Sequence, residues 1–446
     1  MVNLKTFRLG GVHPPENKLS AGVPIEAAAL PKRVFIHLGQ HLGAPAKPLV
    51  QKGDTVKVGA LIGVADGFIS ANVHSSVSGT VVGIEPVADV SGYKRPAVII
   101  DVAGDEWDPA IDRSPELKKE ITLDQKSIIE RIKAAGIVGL GGATFPTHVK
   151  YMVPEGKKID TLIINGVECE PYLTSDHRLM LERPDELLIG TQILMKALGV
   201  TKAIIGIEAN KPDAIVLLER KAKDYAGITI QPLKVQYPQG AEKQLIKAIL
   251  NREVPSGKLP LDVGCVVNNV GTAVAVYEAV QKNKPLFERI VTITGKKMTK
   301  RANFLVRIGT PIGDLIAACG GEPAGTAKLI NGGPMMGKAM ASADIPVTKG
   351  TSGVILVDAS EAKRREPSAC IRCAKCVAAC PMGLEPYLIE KLADYALWDE
   401  AESAGAADCV ECGSCQFTCP AARPLLDNIR LAKATVMRII RERSKK

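Results

Sequence analysis

The chain has 446 residues, 46% of them hydrophobic and 24% charged, an ordinary globular composition with room for roughly three or four domains. Its formal net charge of +9 is mild for this length, and no basic run is interleaved with aromatics, which argues against nucleic acid as a partner. No stretch reaches the ~18 uninterrupted apolar residues of a membrane helix. Residues 1–11 lack the apolar core of a secretory signal, so a cytoplasmic protein is expected. In that reducing compartment, eleven cysteines argue for metal rather than disulfides.

Residues 1–30 read as an arm. Gly10-Gly11-Val12-His13-Pro14-Pro15 suits neither helix nor strand and fits a segment laid over another surface. Residues 31–105 read as all-β, with short strands and glycine turns. Val50–Gly59 and Val73–Val81 resemble the two halves of a lipoyl or biotinyl carrier domain, a barrel-sandwich hybrid. The hairpin between them, Asp66-Gly67-Phe68-Ile69-Ser70, has no lysine to modify, so this domain is expected to be a scaffold.

Residues 118–285 alternate helix and strand, the pattern of an α/β domain. Asp124 precedes a helix running to Ala135, and Thr161–Asn165 is a short apolar strand. A periodic helix spans Arg183–Leu198 and stops near Gly199. Lys202–Ile207 and Ile228–Gln236 are strand-like, and Asn210 is placed to cap a helix opening at Lys211-Pro212. Residues 288–345 suggest a small β-grasp module: strands Ile290–Thr294, Asn303–Arg307 and Lys328–Asn331, with helix Ile312–Cys319. After a last strand, Gly353–Val357, the charged Asp358–Pro367 segment is expected to link to a cysteine-rich domain at 366–446.

That domain carries the most specific signal. Cys370, Cys373, Cys376 and Cys380 follow C-x₂-C-x₂-C-x₃-C with Pro381 after them, and Cys409, Cys412, Cys415 and Cys419 repeat the spacing before Pro420. Bacterial two-cluster ferredoxins use this run, and the last cysteine of each run crosses to the other [4Fe–4S] cube. One cluster is therefore assigned to Cys370, Cys373, Cys376 and Cys419, the other to Cys380, Cys409, Cys412 and Cys415. Zinc also uses C-x₂-C pairs, but it needs only four ligands and no doubled run. Cys169, Cys265 and Cys319 read as small buried residues. The last stretch, 424–446, has seven Lys/Arg against two Asp/Glu, with Leu425, Ile429, Ala432, Val436 and Ile439 on one helical face. It is expected to pack on the cluster domain with a solvated basic side; the sharper alternative is contact with an acidic partner or an anionic membrane.

Gly136-Ile137-Val138-Gly139-Leu140-Gly141-Gly142 follows a helix, whereas a Rossmann fingerprint follows a strand. Its glycines nonetheless allow backbone N–H groups to meet a phosphate. Four segments in order resemble the flavoprotein subunit of respiratory complex I: Gly139–Lys150, Asn165-Gly166-Val167-Glu168-Cys169-Glu170-Pro171, Tyr237-Pro238-Gln239-Gly240-Ala241-Glu242, and Val267-Asn268-Asn269-Val270. With the arm Phe7–Lys18, the barrel-sandwich domain and the doubled cysteine runs, nearly the whole chain resembles the RnfC family, the C subunits of Rnf-type ion-translocating complexes.

The resemblance implies a peripheral, NADH-dependent oxidoreductase subunit on the cytoplasmic face of the bacterial inner membrane. It would carry FMN and two [4Fe–4S] clusters, take NAD(H) as substrate and partner other Rnf-type membrane and iron–sulfur subunits. It places Gly139, Gly141, Gly142 and Lys150 near the flavin phosphate and ring, and Asn165 and Glu168 at the flavin or nicotinamide side. Phe145 and Glu170 would face the dinucleotide, Asn268 and Asn269 the phosphate and ribityl, and Glu242 belongs to the same cofactor site. Leu140, Val167 and Ala241 stand where the complex I pattern has Arg, Asp and Glu. A soluble flavin–iron–sulfur reductase such as a corrin reductase, and a non-catalytic wiring subunit, are the alternatives.

Overall fold

The computed structural model describes residues 4–444. In the barrel-sandwich domain two antiparallel sheets face each other. One orders its strands Arg33–His37, Lys94–Gly104, Ser78–Ala88, Thr55–Val56; the other is Lys47–Pro48, Leu61–Val64, Val73–His74. Alternation sends Val34, Ile36, Ile62 and Ile100 inward, where all are fully buried. The lysine-free hairpin stays outside, with Phe68 64% exposed.

The α/β domain is a four-stranded, fully parallel sheet ordered Ile228–Leu233, Ala203–Glu208, Thr161–Asn165, Cys265–Asn269. Three of its strands are buried on both faces, which explains their nearly continuous apolar runs, while the edge strand Ile228–Leu233 is partly exposed. Leu162, Ile164 and Ile205 meet the helices Gln125–Ala134, Pro184–Leu198 and Val270–Lys282 on one side. Ile163, Cys265 and Val267 meet helix Glu242–Leu250 on the other. The Asp124 carboxylate caps the first helix by accepting from Ser127 N at 2.8 Å, and Gly199 ends Pro184–Leu198 in the left-handed conformation. Asn210 does not cap Pro212–Lys221: its side chain donates to Glu16 Oε2 and accepts from Lys211 Nζ instead.

The β-grasp module is a six-stranded sheet ordered Ile25–Ala27, Ala302–Arg307, Glu288–Thr294, Gly353–Asp358, Thr326–Asn331, Lys338–Met340. Helix Ile312–Ala318 packs on its core. Two of its strands lie outside the expected 288–345 span. Ile25–Ala27 of the arm adds a parallel edge, and Gly353–Asp358, the expected last strand before the linker, occupies an interior position of this sheet. Neither long-range pairing leaves a local mark in sequence.

The cluster domain is helical, and Leu425–Arg443 is its longest element. Leu425, Ile429, Ala432 and Val436 are buried in its core, with Ile440 continuing the stripe. Much of the helix's basic side is used internally. Arg443 pairs with Asp399 and Glu402, and Arg430 and Lys433 pair with Glu411. Among the described residues no helix is long and apolar enough to cross a membrane.

Candidate flavin and iron–sulfur sites

A parallel sheet binds ligands at the carboxyl ends of its strands, where the chain reverses its order of addition. Here that point lies between Thr161–Asn165 and Cys265–Asn269, because the winding runs from Thr161–Asn165 out to Ile228–Leu233 on one side and then returns to add Cys265–Asn269 on the other. The two strands end on register partners, Asn165 and Asn269. The glycine loop comes down on this same point: a Cβ on Gly141 would stand 3.2 Å from the Asn269 side chain. Gly139 N donates to Phe145 O, closing the loop's base, and Leu140 N donates to Thr272 Oγ1 on the following helix. Gly142 is exposed at a φ of +133°, and Phe145 is half-buried.

Lys150 and Glu242 meet at the rim. Lys150 Nζ donates to Glu242 Oε2 at 3.1 Å and to Val267 O at 2.9 Å. Asn165 Nδ2 donates to Gly240 O, tying two of the four family-like segments together. Asn269 caps Val270–Lys282 through Gly271 N and donates to Asp176 Oδ2 at 2.7 Å. Burial, then the Glu168 carboxylate, pushes the Asp176 carboxyl up.

The carboxylates of Glu168 and Glu170, expected at the flavin or nicotinamide side and facing the dinucleotide, are both engaged within the chain. Glu168, at a φ of +46°, turns its carboxylate onto the start of helix Ser175–Glu182, accepting from Asp176 N at 2.8 Å and His177 N at 3.2 Å. It fills the capping role that Thr174 leaves open. The Glu170 carboxylate is enclosed by Met335 N, Met336 N and the Tyr237 hydroxyl. Burial pushes its pKa up to about 7 despite those donors. The loop carrying both glutamates is clamped from outside by Lys18 of the arm, which donates to Glu168 O, Glu170 O and Leu173 O, and by the buried Lys211, which donates to Val167 O. The arm also roofs a cleft of about 240 Å³ whose walls include Glu16, Lys18, Glu208 and Tyr237. Leu140 and Val167 are buried among apolar neighbours, which accounts for their lack of charge.

Cys380, Cys409, Cys412 and Cys415 line one pocket between the two cysteine loops. Burial raises the thiols of Cys409, Cys412 and Cys415, so bare thiolates are disfavoured there and a cationic metal core would supply the missing compensation. Cys419 instead acts on Cys376, and Tyr387 lies within electrostatic reach of Cys376 and Cys370. Each last cysteine therefore lies with the other run. Cys370 and Cys373 are exposed. Among the described residues no three His, Cys, Asp or Glu side chains converge on one point as ligands of a single ion.

The buried cysteine pocket abuts the α/β domain. Tyr237 Oη donates to Cys412 O at 2.9 Å, and Gln244 Nε2 donates to Pro381 O at 3.1 Å. The arm threads between them. Gly11 N donates to Ala379 O, and Gly10, at a φ of +68°, lies so close that a Cβ would stand 2.5 Å from the Cys380 carbonyl. Only glycine fits there.

The residues fit a phosphorylated flavin. Asn268 Nδ2 is buried with no hydrogen-bond partner, and the N–H groups of Gly141 and Gly142 donate to no acceptor among the described residues. These are donors of the kind a phosphate or ribityl oxygen takes. Sequence reasoning missed Arg289 and Lys349, which bond carbonyls of the glycine loop, and Asp176, which accepts from Asn269 beside it; all three come from distant or unremarkable positions. No local motif marks them.

Fold and site thus define a class: an electron-transfer protein that joins a flavin-type α/β domain to a dicluster iron–sulfur domain. Comparison with known proteins agrees. Residues 132–278 match the Nuo51 FMN-binding domain, 5–105 the RnfC barrel sandwich hybrid domain, 290–339 the SLBB domain and 362–420 a 4Fe-4S dicluster domain. The cofactors of the chain are accordingly FMN and two [4Fe–4S] clusters. The chain is 46% identical over 434 residues to the C subunit of a Na(+)-translocating ferredoxin:NAD(+) oxidoreductase complex of Acetobacterium woodii, covering 97% of each chain. It is 48% identical over 401 residues to the C subunit of a proton-translocating ferredoxin:NAD(+) oxidoreductase complex of Clostridium ljungdahlii, covering 90% of this chain and 87% of that one. The C subunit of an ion-translocating oxidoreductase complex of Rhodobacter capsulatus is 42% identical over 391 residues, covering 86% and 74%. The chain belongs to the RnfC family, the C subunits of ion-translocating ferredoxin:NAD(+) oxidoreductase complexes. A solved NAD+-reducing [NiFe]-hydrogenase shares the fold, with a TM-score of 0.53 at 20% identity over 71% of this chain and 63% of that one.

Proposed function

We propose that this chain is the electron-input subunit of a membrane complex that couples electron transfer between NAD(H) and ferredoxin to ion translocation. It would sit peripherally on the cytoplasmic face, beside membrane and iron–sulfur subunits. The observation that carries the reading is the direct contact between two sites: Tyr237, in a segment of the flavin-type domain, hydrogen-bonds the backbone of Cys412 in the buried cysteine pocket.

When bound, FMN exchanges a hydride with NAD(H) and passes electrons singly, which is what cubanes accept. The chain's own residues have the tasks of binding and orientation. Gly139, Gly141 and Gly142 shape the phosphate loop, and Asn268 and Asn269 stand at the ribityl and phosphate side. Asn165, at the carboxyl end of its strand, would face the flavin, and Lys150 with Glu242 sets the charge of the rim. Phe145 offers an apolar face to the dinucleotide. Glu168 acts through its loop rather than its carboxylate, and Glu170 belongs to the domain junction.

Cys380, Cys409, Cys412 and Cys415 would hold the cluster next to the flavin-type domain. Cys370, Cys373, Cys376 and Cys419 would hold the outer one, whose exposed loop suits exchange with a partner protein. Anaerobic addition of NADH to the reconstituted protein tests the reading: bleaching of bound flavin followed by cluster reduction is expected, and absence of bound FMN would leave a wiring role only.

A further inference from the structure

Two buried basic side chains lie against the glycine loop, and neither has a carboxylate within ion-pair distance among the described residues. Arg289, 6% exposed, is the second residue of strand Glu288–Thr294; its Nη2 donates to Leu140 O at 3.3 Å and its Nη1 to Lys349 O. Lys349 is fully buried, and its Nζ donates to Gly136 O at 2.8 Å and Asn72 O at 2.7 Å. Both reach the loop from outside the FMN-binding domain match at 132–278. Asp176 is the anion that acts on Arg289, and it is itself bonded to Asn269 and crowded by Glu168.

Buried charges ordinarily find a counter-charge; Asp176 acts on Arg289 without an ion pair and burial pushes the Lys349 ammonium down to about 7, so an anion over this loop would supply the compensation both side chains lack. The peptide geometry says where it sits. In a trans peptide the C=O and the following N–H point in opposite directions. Leu140 O is drawn inward to Arg289, so the N–H of Gly141 faces away from Arg289, toward the open side above the sheet edge. The adjacent Leu140 N–H is held by Thr272, which fixes the unit from both ends. The segment after Lys349 supports the far side of the loop: a Cβ on Gly350 would stand 3.0 Å from Thr144 Cγ2.

We propose that Arg289 and Lys349 are positioning residues for a phosphate monoester dianion: Arg289 holds Leu140 O inward and leaves the Gly141 N–H facing the ligand, while Lys349 anchors the start of the loop at Gly136 O and adds to the positive field beneath it. This rests on the flavin reading and adds that the terminal phosphate is selected by cations lent by the β-grasp module and the segment leading to its Gly353–Asp358 strand. The prediction is a discrimination between FMN and riboflavin, which differ only in that phosphate.

The test titrates cluster-loaded, flavin-free protein with each flavin by fluorescence quenching. Wild type is expected to bind FMN more tightly than riboflavin. Arg289→Gln should weaken FMN by about tenfold or more, the loss of one charge-assisted contribution, while riboflavin changes less than about twofold. Arg289→Lys, which keeps the charge but not the fork, should fall between them. Lys349→Met carries the same prediction should Arg289→Gln fail to fold, and unchanged riboflavin binding reports an intact site. Equal loss of both flavins, or an unchanged FMN-to-riboflavin ratio in every variant, overturns the proposal. A wild type that binds neither flavin overturns the flavin reading itself, and one that binds both equally overturns only the phosphate selection.

Discussion

Replacing Glu170 by Gln removes a charge that the fold makes costly. In the native chain its carboxylate accepts from Met335 N at 3.1 Å, Met336 N at 2.8 Å and the Tyr237 hydroxyl at 3.3 Å. Burial outweighs those donors and lifts its pKa from 4.5 to about 7. A raised carboxyl pKa means the native state binds more protons than the unfolded state between those values. The stability linked to this group is therefore fully present below pH 4.5 and is lost as pH rises through 7. At about 1.36 kcal/mol per pH unit the full penalty is roughly 3 kcal/mol, most of it developing between about pH 5 and pH 8. Glu170→Gln is nearly isosteric with the protonated acid and carries no charge. Its melting temperature relative to wild type should thus rise with pH over that window and level off above it. The rise should reach roughly 6–12 °C if the unfolding unit is a domain of about 150–250 residues. The assay is anaerobic differential scanning of both holoproteins in one buffer series. A gap between the two proteins that does not change with pH would refute the reasoning, because it would assign the effect to packing rather than ionisation.

Three further outcomes follow from the described geometry. Cys380→Ser should remove the inner cluster and Cys419→Ser the outer one, each losing about half the iron and labile sulfide; cluster-resolved EPR in which Cys380→Ser instead spares the signal of the Cys409, Cys412 and Cys415 cube would contradict the cross-ligation. Gly10→Ala forces a left-handed backbone on a residue with a side chain and drives a Cβ to 2.5 Å from the Cys380 carbonyl. The strain alone is about 1–2 kcal/mol, and the displaced Cys380 should show as a loss of inner-cluster occupancy with flavin binding retained. Asp124→Ala removes the cap on Ser127 N and should cost about 1 kcal/mol, read as a lower melting temperature of the α/β domain with both cofactor sites unchanged.

Much was legible because its cause is local. The C-x₂-C-x₂-C-x₃-C-P runs carry their own ligand geometry, since three sulfurs can be turned inward only by one tight loop. The helices and the parallel strands follow from apolar period and from caps such as Asp124 and Gly199, which act within a few residues. The glycine loop and the Asn165 and Asn269 segments are likewise short, contiguous patterns.

Tertiary structure decided what depends on residues far apart in the chain. Whether Glu168 and Glu170 meet a ligand or a helix end and a β-grasp loop is fixed by where Ser175–Glu182 and Met335–Met336 arrive, and the motif says nothing of either. Asn210 loses its expected cap because Glu16 of the arm and Lys211 claim its side chain. Ile25–Ala27 and Gly353–Asp358 become strands of one sheet only because that sheet has edges and a gap to fill. Arg289 and Lys349 look in sequence like ordinary surface cations; burial against the loop carbonyls, from 149 and 213 residues away, is what makes their charge consequential. Sequence alone determined the iron–sulfur chemistry of this chain, because ligand spacing is a short-range property, and its likeness to a known family implied the flavin. The fold decided which cysteine pocket lies beside the flavin-type domain and which basic side chains reach the glycine loop, because packing is a property of the whole molecule.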